Sequence, residues 1–231
     1  CEVTRLVLPC ANLQGTMPSA LQELKITYLD LNNNPGLTGT LPNWFGSSAA
    51  LSQLSQVYIY NTGLSGTLPT QLGGLSELNT LYLSNNAFTG TIPPLYNTPK
   101  LLQLLVAGNS LRDSTESGLG VWDALLKCPE LREIDLSGNP NLKGSLPKNL
   151  WSLTKLLLVN VSNTGMVGSI PAALQFNSLK KMIALDVSRN HFTGTIPAFA
   201  QELKLELLNL STNKFTGTIP RTLPSELKNL S

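Results

Sequence analysis

The sequence has little charge and few of the side chains that catalysis or metal binding usually requires. Charged residues make up 13% of the 231 positions, and there are three cysteines and a single histidine, His191. No stretch reaches the ~18 consecutive apolar residues of a membrane-spanning helix. The net charge is only +2, with no run of Lys and Arg, so we expect neither membrane insertion nor a nucleic-acid partner.

What the sequence does have is leucine, in a regular pattern. There are 47 leucines, and the phrase L-x-L-x-x-N-x-L-x-G-x-I-P recurs nine times in variant form, best kept in LDVSRNHFTGTIP and LNLSTNKFTGTIP. A fixed period of 20–50 residues indicates a solenoid, in which each repeat buries its leucines only against its neighbours. We therefore predict one domain over residues 1–231. The first apolar residues of its nine strands are Leu6, Leu29, Val57, Leu81, Leu104, Ile134, Val159, Leu185 and Leu208.

Each position of the phrase has a structural explanation. The alternating L-x-L is a short strand with one face in the core, and the glycine permits a tight bend before the proline that begins the return. The asparagine predicts a buried amide that bonds backbone groups of the turn after the strand. That column holds Asn34, Asn86, Asn109, Asn139, Asn190 and Asn213, with Thr62 and Thr164 in two repeats.

The G-[ST]-[ILM]-P element resembles the plant-type leucine-rich repeat, and the resemblance covers essentially the whole chain. That class occurs in plant receptor-kinase ectodomains, in plant polygalacturonase inhibitors and, as similar repeats, in trypanosomatid surface antigens. It implies an α/β right-handed solenoid with a concave parallel sheet, a second short sheet from the G-[ST]-[ILM]-P segments, and short helical or irregular convex returns. It also implies a non-enzymatic extracellular or cell-surface module that binds a protein or peptide through its concave face, without cofactor or metal.

Three alternatives to recognition remain open. The first two are an inhibitor of a secreted hydrolase and a structural surface-coat module. A remote third is ice binding through the column Thr16, Thr40, Thr67, Thr91, Ser145, Ser169, Thr195 and Thr218. The carboxyl groups of Asp135 and Asp186 lie two repeats apart, which loosely fits an inverting glycosidase. Because L-D-L-S commonly fills this repeat, we do not expect catalysis.

One repeat departs from the pattern. After Leu111 the chain runs RDSTESGLGVWDALLKCPEL, with no G-x-I-P. The stretch from Leu119 to Lys127 predicts a short amphipathic helix on the convex side. Either the repeat has simply drifted, or it forms a bulge that exposes Trp122 to a partner. Cys128, in the same stretch, is expected to be a small buried apolar residue.

The strand positions that face outward carry the candidate binding surface. The first half presents Tyr28, Asp30, Tyr58, Tyr60, Tyr82 and Leu105, whereas the second presents Asp135, Ser137, Asn160, Ser162, Asp186, Ser188, Asn209 and Ser211. Tyrosine is enriched at binding hot spots, although aromatic residues also suit strands in general. We therefore predict a ligand site on the N-terminal half of the concave face, with Tyr58 and Tyr82 at its centre.

The remaining expectations concern processing. Asn160, Asn209 and Asn229 each begin a glycosylation sequon, although a serine column after the strand creates such sequons by accident. Cys1 could pair with Cys10 or with a cysteine upstream. Because repeat stacks need polar caps, we expect the domain to belong to a larger protein.

Overall fold

The computed structural model describes residues 3–113, 120–171 and 179–231, and within them the dominant element is one parallel sheet. We number the seventeen described strands in chain order. The ten of the main sheet are β1 (Arg5–Val7), β2 (Tyr28–Asp30), β4 (Gln56–Tyr58), β6 (Thr80–Tyr82), β8 (Gln103–Leu105), β10 (Glu133–Asp135), β11 (Leu158–Asn160), β13 (Ala184–Asp186), β15 (Leu207–Asn209) and β17 (Asn229–Leu230).

The register of the main sheet follows the repeat phrase. The first apolar residue of each phrase pairs with its equivalent in the next repeat, as Leu29 does with Val57 and Val57 with Leu81. These residues point into one continuous core of buried Leu, Ile, Val and Phe side chains. The strand β17 is a tenth member beyond the nine predicted, and it forms because the return after Pro220 leads directly into another strand position.

The asparagine column has the predicted role in the core. The side chain of Asn139 is fully buried, and its Nδ2 donates to the carbonyls of Leu136 at 2.9 Å and of Val106 at 3.0 Å. Its Oδ1 accepts the N–H of Leu111 at 3.0 Å, so one amide joins two repeats. Thr164 fills the same column with a shorter hydroxyl, which donates to the carbonyl of Val161 at 2.8 Å.

The second sheet exists, but it is divided into two parts. Four strands form the first part: β3 (Thr38–Thr40), β5 (Gly63–Thr67), β7 (Ala87–Gly90) and β9 (Ser110–Leu111). Three form the second: β12 (Val167–Gly168), β14 (His191–Thr195) and β16 (Lys214–Thr216). An isolated bridge between Arg112 and Asn141 lies between the two parts.

The irregular repeat explains that division. The carboxylate of Asp113 accepts the N–H of Val121 at 2.8 Å and packs against Gly144, where an added Cβ would lie 2.6 Å from Asp113 Oδ2. Among the described residues, the sixth repeat contributes no strand to the second sheet beside this contact. The following helix α1 (Val121–Leu125) lies within the predicted helix and ends before Lys127, whereas the predicted start at Leu119 lies outside the described residues.

The structure contradicts the hypothesis that this repeat exposes Trp122. The side chain is 1% exposed, and Val121, Ala124 and Leu125 of α1 are buried with it. The indole is part of the continuous core of a repeat that lacks the G-x-I-P segment. Cys128 is buried as expected, and burial raises the pKa of its thiol.

The other returns are short 3₁₀ helices or irregular segments. Each of the 3₁₀ helices follows or lies close behind the phrase's proline: Ser19–Glu23, Asn43–Gly46, Ala50–Gln53, Thr70–Gly74 and Lys148–Ser152. Among the described residues, no helix has the length and apolar character needed to cross a bilayer.

Candidate functional site

Four tyrosines form a continuous cluster on the solvent-facing side of the main sheet, which we call the tyrosine cluster. The ring centroids of Tyr28 and Tyr58 are 5.4 Å apart, those of Tyr58 and Tyr82 are 6.4 Å apart, and Tyr60 stacks on Tyr82 at 4.2 Å. The cluster arises because β2, β4 and β6 pair in register, which places Asp30, Tyr58 and Tyr82 side by side. All four rings are half-buried, so each offers a face or an edge to a ligand.

Arg5 extends the cluster at its N-terminal end, which the sequence analysis did not predict. Its guanidinium carbon lies 4.2 Å from the centroid of the Tyr28 ring, within the range of a cation–π interaction. The contact follows from the pairing of Arg5 in β1 with Tyr28 in β2. A basic residue directly before Leu6, the first apolar residue of the first phrase, was the available signal, but only the register shows that the two side chains meet.

Burial raises the pKa of two of these tyrosines. Desolvation is the largest cause for both Tyr28 and Tyr60, and the nearby charge of Asp30 adds to it. The guanidinium of Arg5 acts in the opposite direction and lowers the pKa of Tyr28. Both hydroxyls are therefore neutral near pH 7 and can both donate and accept hydrogen bonds.

Asp30 is buried, although the sequence analysis predicted it to be an exposed ligand contact. Its side chain is 8% exposed, and its Oδ1 accepts hydrogen bonds from the backbone N–H of Asn32 at 3.1 Å and from Asn32 Nδ2 at 2.6 Å. The carboxylate is thus committed to its own turn. We interpret Asp30 as a residue that fixes the floor beneath the tyrosines.

A chain of side-chain amides borders the cluster on one side. Asn33 Nδ2 donates to Asn32 Oδ1 at 2.6 Å, Asn61 Nδ2 to Asn33 Oδ1 at 2.7 Å, and Asn85 Nδ2 to Asn61 Oδ1 at 2.8 Å. The three later members have positive φ, which asparagine tolerates better than most residues. The chain ends at Gly108, where a Cβ would lie 2.4 Å from Asn85 Oδ1. This rim supplies fixed polar groups beside the aromatic rings.

Leu105 marks the end of the candidate surface. It pairs with Tyr82 on one side and with Asp135 on the other, and its side chain is half-buried. The structure therefore places five of the six candidate residues on the adjacent strands β2, β4, β6 and β8, and Tyr60 two residues after the end of β4. Asp30 lies beneath the surface and Leu105 at its border.

The second half of the same face is polar in the column where the first half is aromatic. Asp135, Asn160, Asp186 and Asn209 are successive neighbours in that column. Each Oδ1 accepts the backbone N–H two residues later, at 3.0, 3.0, 2.8 and 3.2 Å respectively. These side chains stabilise the turns that follow their own strands, and Asn160 separates the two aspartates that could have resembled a glycosidase pair.

The sequence analysis overlooked the other outward column of the second half. There Leu158, Ala184 and Leu207 pair in succession and form an apolar stripe. Ile183, one residue before Ala184, is 45% exposed, and Leu207 is 36% exposed. The sequence contains the signal for this stripe, because the residue directly before the first apolar residue of the phrase is apolar in these three repeats.

Three other predictions concern local chemistry. Asn160 and Asn209 are half-buried, and Asn209 Nδ2 donates to Asp186 Oδ2 at 3.0 Å, whereas Asn229 is exposed. Cys10 is an exposed free thiol, and Cys1 lies outside the described residues. Within the described ranges, no three His, Cys, Asp or Glu side chains are grouped so that they could hold a metal ion.

The threonine column lies in and beside the two parts of the second sheet. A Cβ added at Gly39, Gly66 or Gly90 would lie 2.8 Å from the methyl group of the threonine one repeat earlier. Each threonine methyl therefore covers the next glycine, which gives the column a role in packing. The column is interrupted at the irregular repeat.

The chain was compared with known proteins. The family model described as Leucine Rich Repeat matches residues 25–48, 77–97, 130–153 and 204–228. No curated protein matches the sequence. The Arabidopsis receptor kinase HAESA, solved with the peptide hormone IDA and the co-receptor SERK1, is similar in structure with a TM-score of 0.83 and 29% identity over 95% of this chain.

Two further structures are similar. PEPR1 in the PEPR1–AtPEP1 structure has a TM-score of 0.74 and 29% identity over 94% of this chain. A plant ice-binding protein has a TM-score of 0.71 and 24% identity over 91% of this chain and 72% of its own length, which supports the fold alone. The chain spans 36% of the HAESA chain and 32% of the PEPR1 chain.

Proposed function

Because the chain belongs to the leucine-rich-repeat family and is of the plant type, we propose that it is an extracellular or cell-surface recognition module that binds a protein or peptide. The ligand contacts the N-terminal half of the concave face, and the tyrosine cluster is its anchor. Similarity to HAESA and PEPR1, which were solved with a peptide hormone and with AtPEP1, supports a ligand of this class. The chain performs no catalysis in this proposal.

One observation carries the proposal: the scaffold does not need the tyrosines. The core is complete beneath them, since Leu29, Val57 and Leu81 of the same strands are at most 2% exposed. Tyrosine provides a large contact area at a low cost in conformational entropy. Four rings in mutual contact next to a rim of fixed amides are suited to an extended peptide with apolar or aromatic side chains.

Among the described residues, the second half of the main sheet presents no comparable cluster of aromatic rings on this face. In the second half the polar column is committed to its own turns, as the hydrogen bonds of Asp135 and Asp186 show. The two halves can therefore be tested against each other. A matched pair of variants is Tyr58→Ala with Tyr82→Ala, and Ser137→Ala with Ser162→Ala in the turns that follow β10 and β11 of the second half.

The experiment is affinity capture from the extracellular fluid and cell-surface extract of the source organism, with quantitative mass spectrometry. We expect a protein or peptide that the wild-type chain and the serine variant retain and the tyrosine variant loses. Identical capture by all three baits would contradict the proposed site. Capture of a secreted hydrolase whose activity then falls would favour the inhibitor function instead.

The extracellular location is a separate part of the proposal. The exposed Asn229 and the half-buried Asn160 and Asn209 are acceptors that a secretory route would present to the glycosylation machinery. Intact-mass analysis of the protein from its native source should show a glycan on at least one of them. Three unmodified asparagines would remove this support for a secretory route.

A further inference from the structure

We propose that the C-terminal half carries a second docking surface, at the edge where the chain enters the main sheet, and that it binds an acidic, partly apolar peptide segment of a partner protein. Two neighbouring features define this surface, which we call the edge surface. One is a cationic groove, and the other is the apolar stripe of Leu158, Ala184 and Leu207 together with Ile183, which flanks it.

The groove has a volume of about 260 Å³ and is lined by Arg132, Lys155, Leu157 and Lys181. Three consecutive repeats contribute these residues, although they are far apart in sequence. Arg132 and Lys181 are exposed, and neither forms an ion pair with a residue in the described ranges. Lys155 is paired with Glu130. The groove thus holds two cations that are available to an anionic group.

Backbone hydrogen bonds connect the groove to the apolar stripe. The N–H of Leu157 donates to the carbonyl of Arg132 at 2.7 Å, that of Ile183 to Leu157 at 2.7 Å, and that of Glu206 to Ile183 at 2.8 Å. These residues lie in one column, about 4.8 Å apart, directly before the strands. Leu157 and Ile183 are neighbours in this column, so an apolar side chain on Ile183 lies one repeat from the groove wall.

The acidic side chains around the edge surface do not neutralise the groove. Glu130 is paired with Lys155, and Glu206 is paired with Lys228 at 2.7 Å. Glu133 pairs with Leu158 and so ends the stripe at β10, on the side away from Ala184 and Leu207. A bound chain therefore places its carboxylates over the edge, against Arg132 and Lys181, and its apolar side chains on the stripe.

Charge and apolar area together select the class of partner. An acidic polysaccharide could satisfy the cations but would leave Ile183 and Leu207, 45% and 36% exposed, in contact with water. A nucleic acid needs several cations along its backbone, whereas this groove offers two that are unpaired. A peptide with alternating carboxylate and apolar side chains covers both features, since opposite charges meet and apolar area leaves water.

The test uses fluorescein-labelled octapeptides of alternating Glu and Leu, with alternating Glu and Ser and polygalacturonate of equal charge as comparison probes. Fluorescence anisotropy at low ionic strength gives the affinities. We expect the Glu–Leu peptide to bind most tightly. The variant Arg132→Glu with Lys181→Glu should weaken it at least roughly tenfold, and Ile183→Ser with Leu207→Ser should weaken it severalfold.

The control variant is Lys148→Glu with Arg221→Glu, which changes the net charge equally at two exposed residues outside the edge surface. It should change the affinity less than about twofold. All substituted side chains are exposed, and circular dichroism with urea denaturation checks that each variant folds. The charge-reversed variant should also gain affinity for a Lys–Leu octapeptide, which a misfolded variant would not do.

Three results would overturn the proposal. The first is equal binding of the Glu–Leu peptide to the wild-type chain and to the charge-reversed variant. The second is equal loss in the control variant, which would indicate a general effect of net charge. The third is tighter binding of polygalacturonate together with no effect of the Ile183 and Leu207 substitutions, which would indicate a polyanion site. The tyrosine cluster is unchanged in every variant, so failure here does not affect the proposed function.

Discussion

The two halves of the main sheet share one interior but have different faces. Beneath both, leucines and buried asparagines occupy the same columns, as Asn109 and Asn139 show with near-identical hydrogen bonds of 3.0 Å to backbone N–H groups. On the N-terminal face, four tyrosines contact one another, whereas the equivalent C-terminal column holds polar groups bound to their own turns. The comparison separates what the repeat requires from what a ligand would use.

The junction between the halves gives the largest expected effect on stability. Replacing Trp122 with Ala leaves a large cavity, and we expect a loss of about 3–5 kcal/mol in the free energy of unfolding. The indole Nε1 has no hydrogen-bond partner among the described residues, so Trp122→Phe should cost far less. Urea denaturation followed by circular dichroism measures both.

The half-buried Trp44 in the N-terminal half is the matched control for this prediction. Its ring packs against Phe45 with centroids 5.9 Å apart, but it remains partly exposed. Trp44→Ala should lower the free energy of unfolding by less than half as much as Trp122→Ala. Equal losses would show that the irregular repeat is not the critical junction between the halves.

The shared interior predicts equal effects of asparagine substitutions in the two halves. Asn109→Ala and Asn139→Ala each leave one N–H and two or more carbonyls without their partner, so each should cost about 2–4 kcal/mol. The exposed Asn149 is the control, and its replacement with Ala should change stability by less than about 0.5 kcal/mol. Markedly different losses at Asn109 and Asn139 would show that the two interiors are not equivalent.

The smallest predicted effect concerns Arg5, which belongs to the N-terminal face alone. Its positive charge favours the phenolate of Tyr28, so Arg5→Ala should raise the pKa of Tyr28 further above the ordinary tyrosine value, whereas Arg5→Lys should retain most of the effect. Absorbance at alkaline pH, with Tyr28→Phe as the reference, isolates this titration. An unchanged or lower pKa in Arg5→Ala would contradict the cation–π contact.

Much of this fold could be predicted because each column of the repeat is a local pattern. The strand position of Leu81 and the buried amide of Asn139 follow from the phrase itself. The burial of Trp122 could not be predicted, because the irregular repeat has no template that assigns its residues to core or surface. The split in the second sheet lies at the same irregular repeat, for which the phrase supplies no template.

Part of the candidate site could also be predicted from the repeat pattern. Stacking alone predicts that Tyr28, Tyr58 and Tyr82 meet, because they lie in adjacent strands. The position of Arg5 over Tyr28 and the groove between Arg132 and Lys181 depend on register and on repeat lengths, which the sequence pattern leaves open. For residues in columns outside the repeat phrase, the neighbouring side chains can therefore be identified only from the structure.

The most direct test of the central claim is a comparison of affinities for the captured partner. Isothermal titration with purified partner should give a loss of more than about 1 kcal/mol for each of Tyr58→Ala and Tyr82→Ala, so that the double variant binds at least about 30-fold more weakly. The variant with Ser137→Ala and Ser162→Ala should bind within about twofold of the wild-type chain. Undiminished binding by the tyrosine variant, or a selective loss in the serine variant, would contradict the assignment of the N-terminal half as the ligand face.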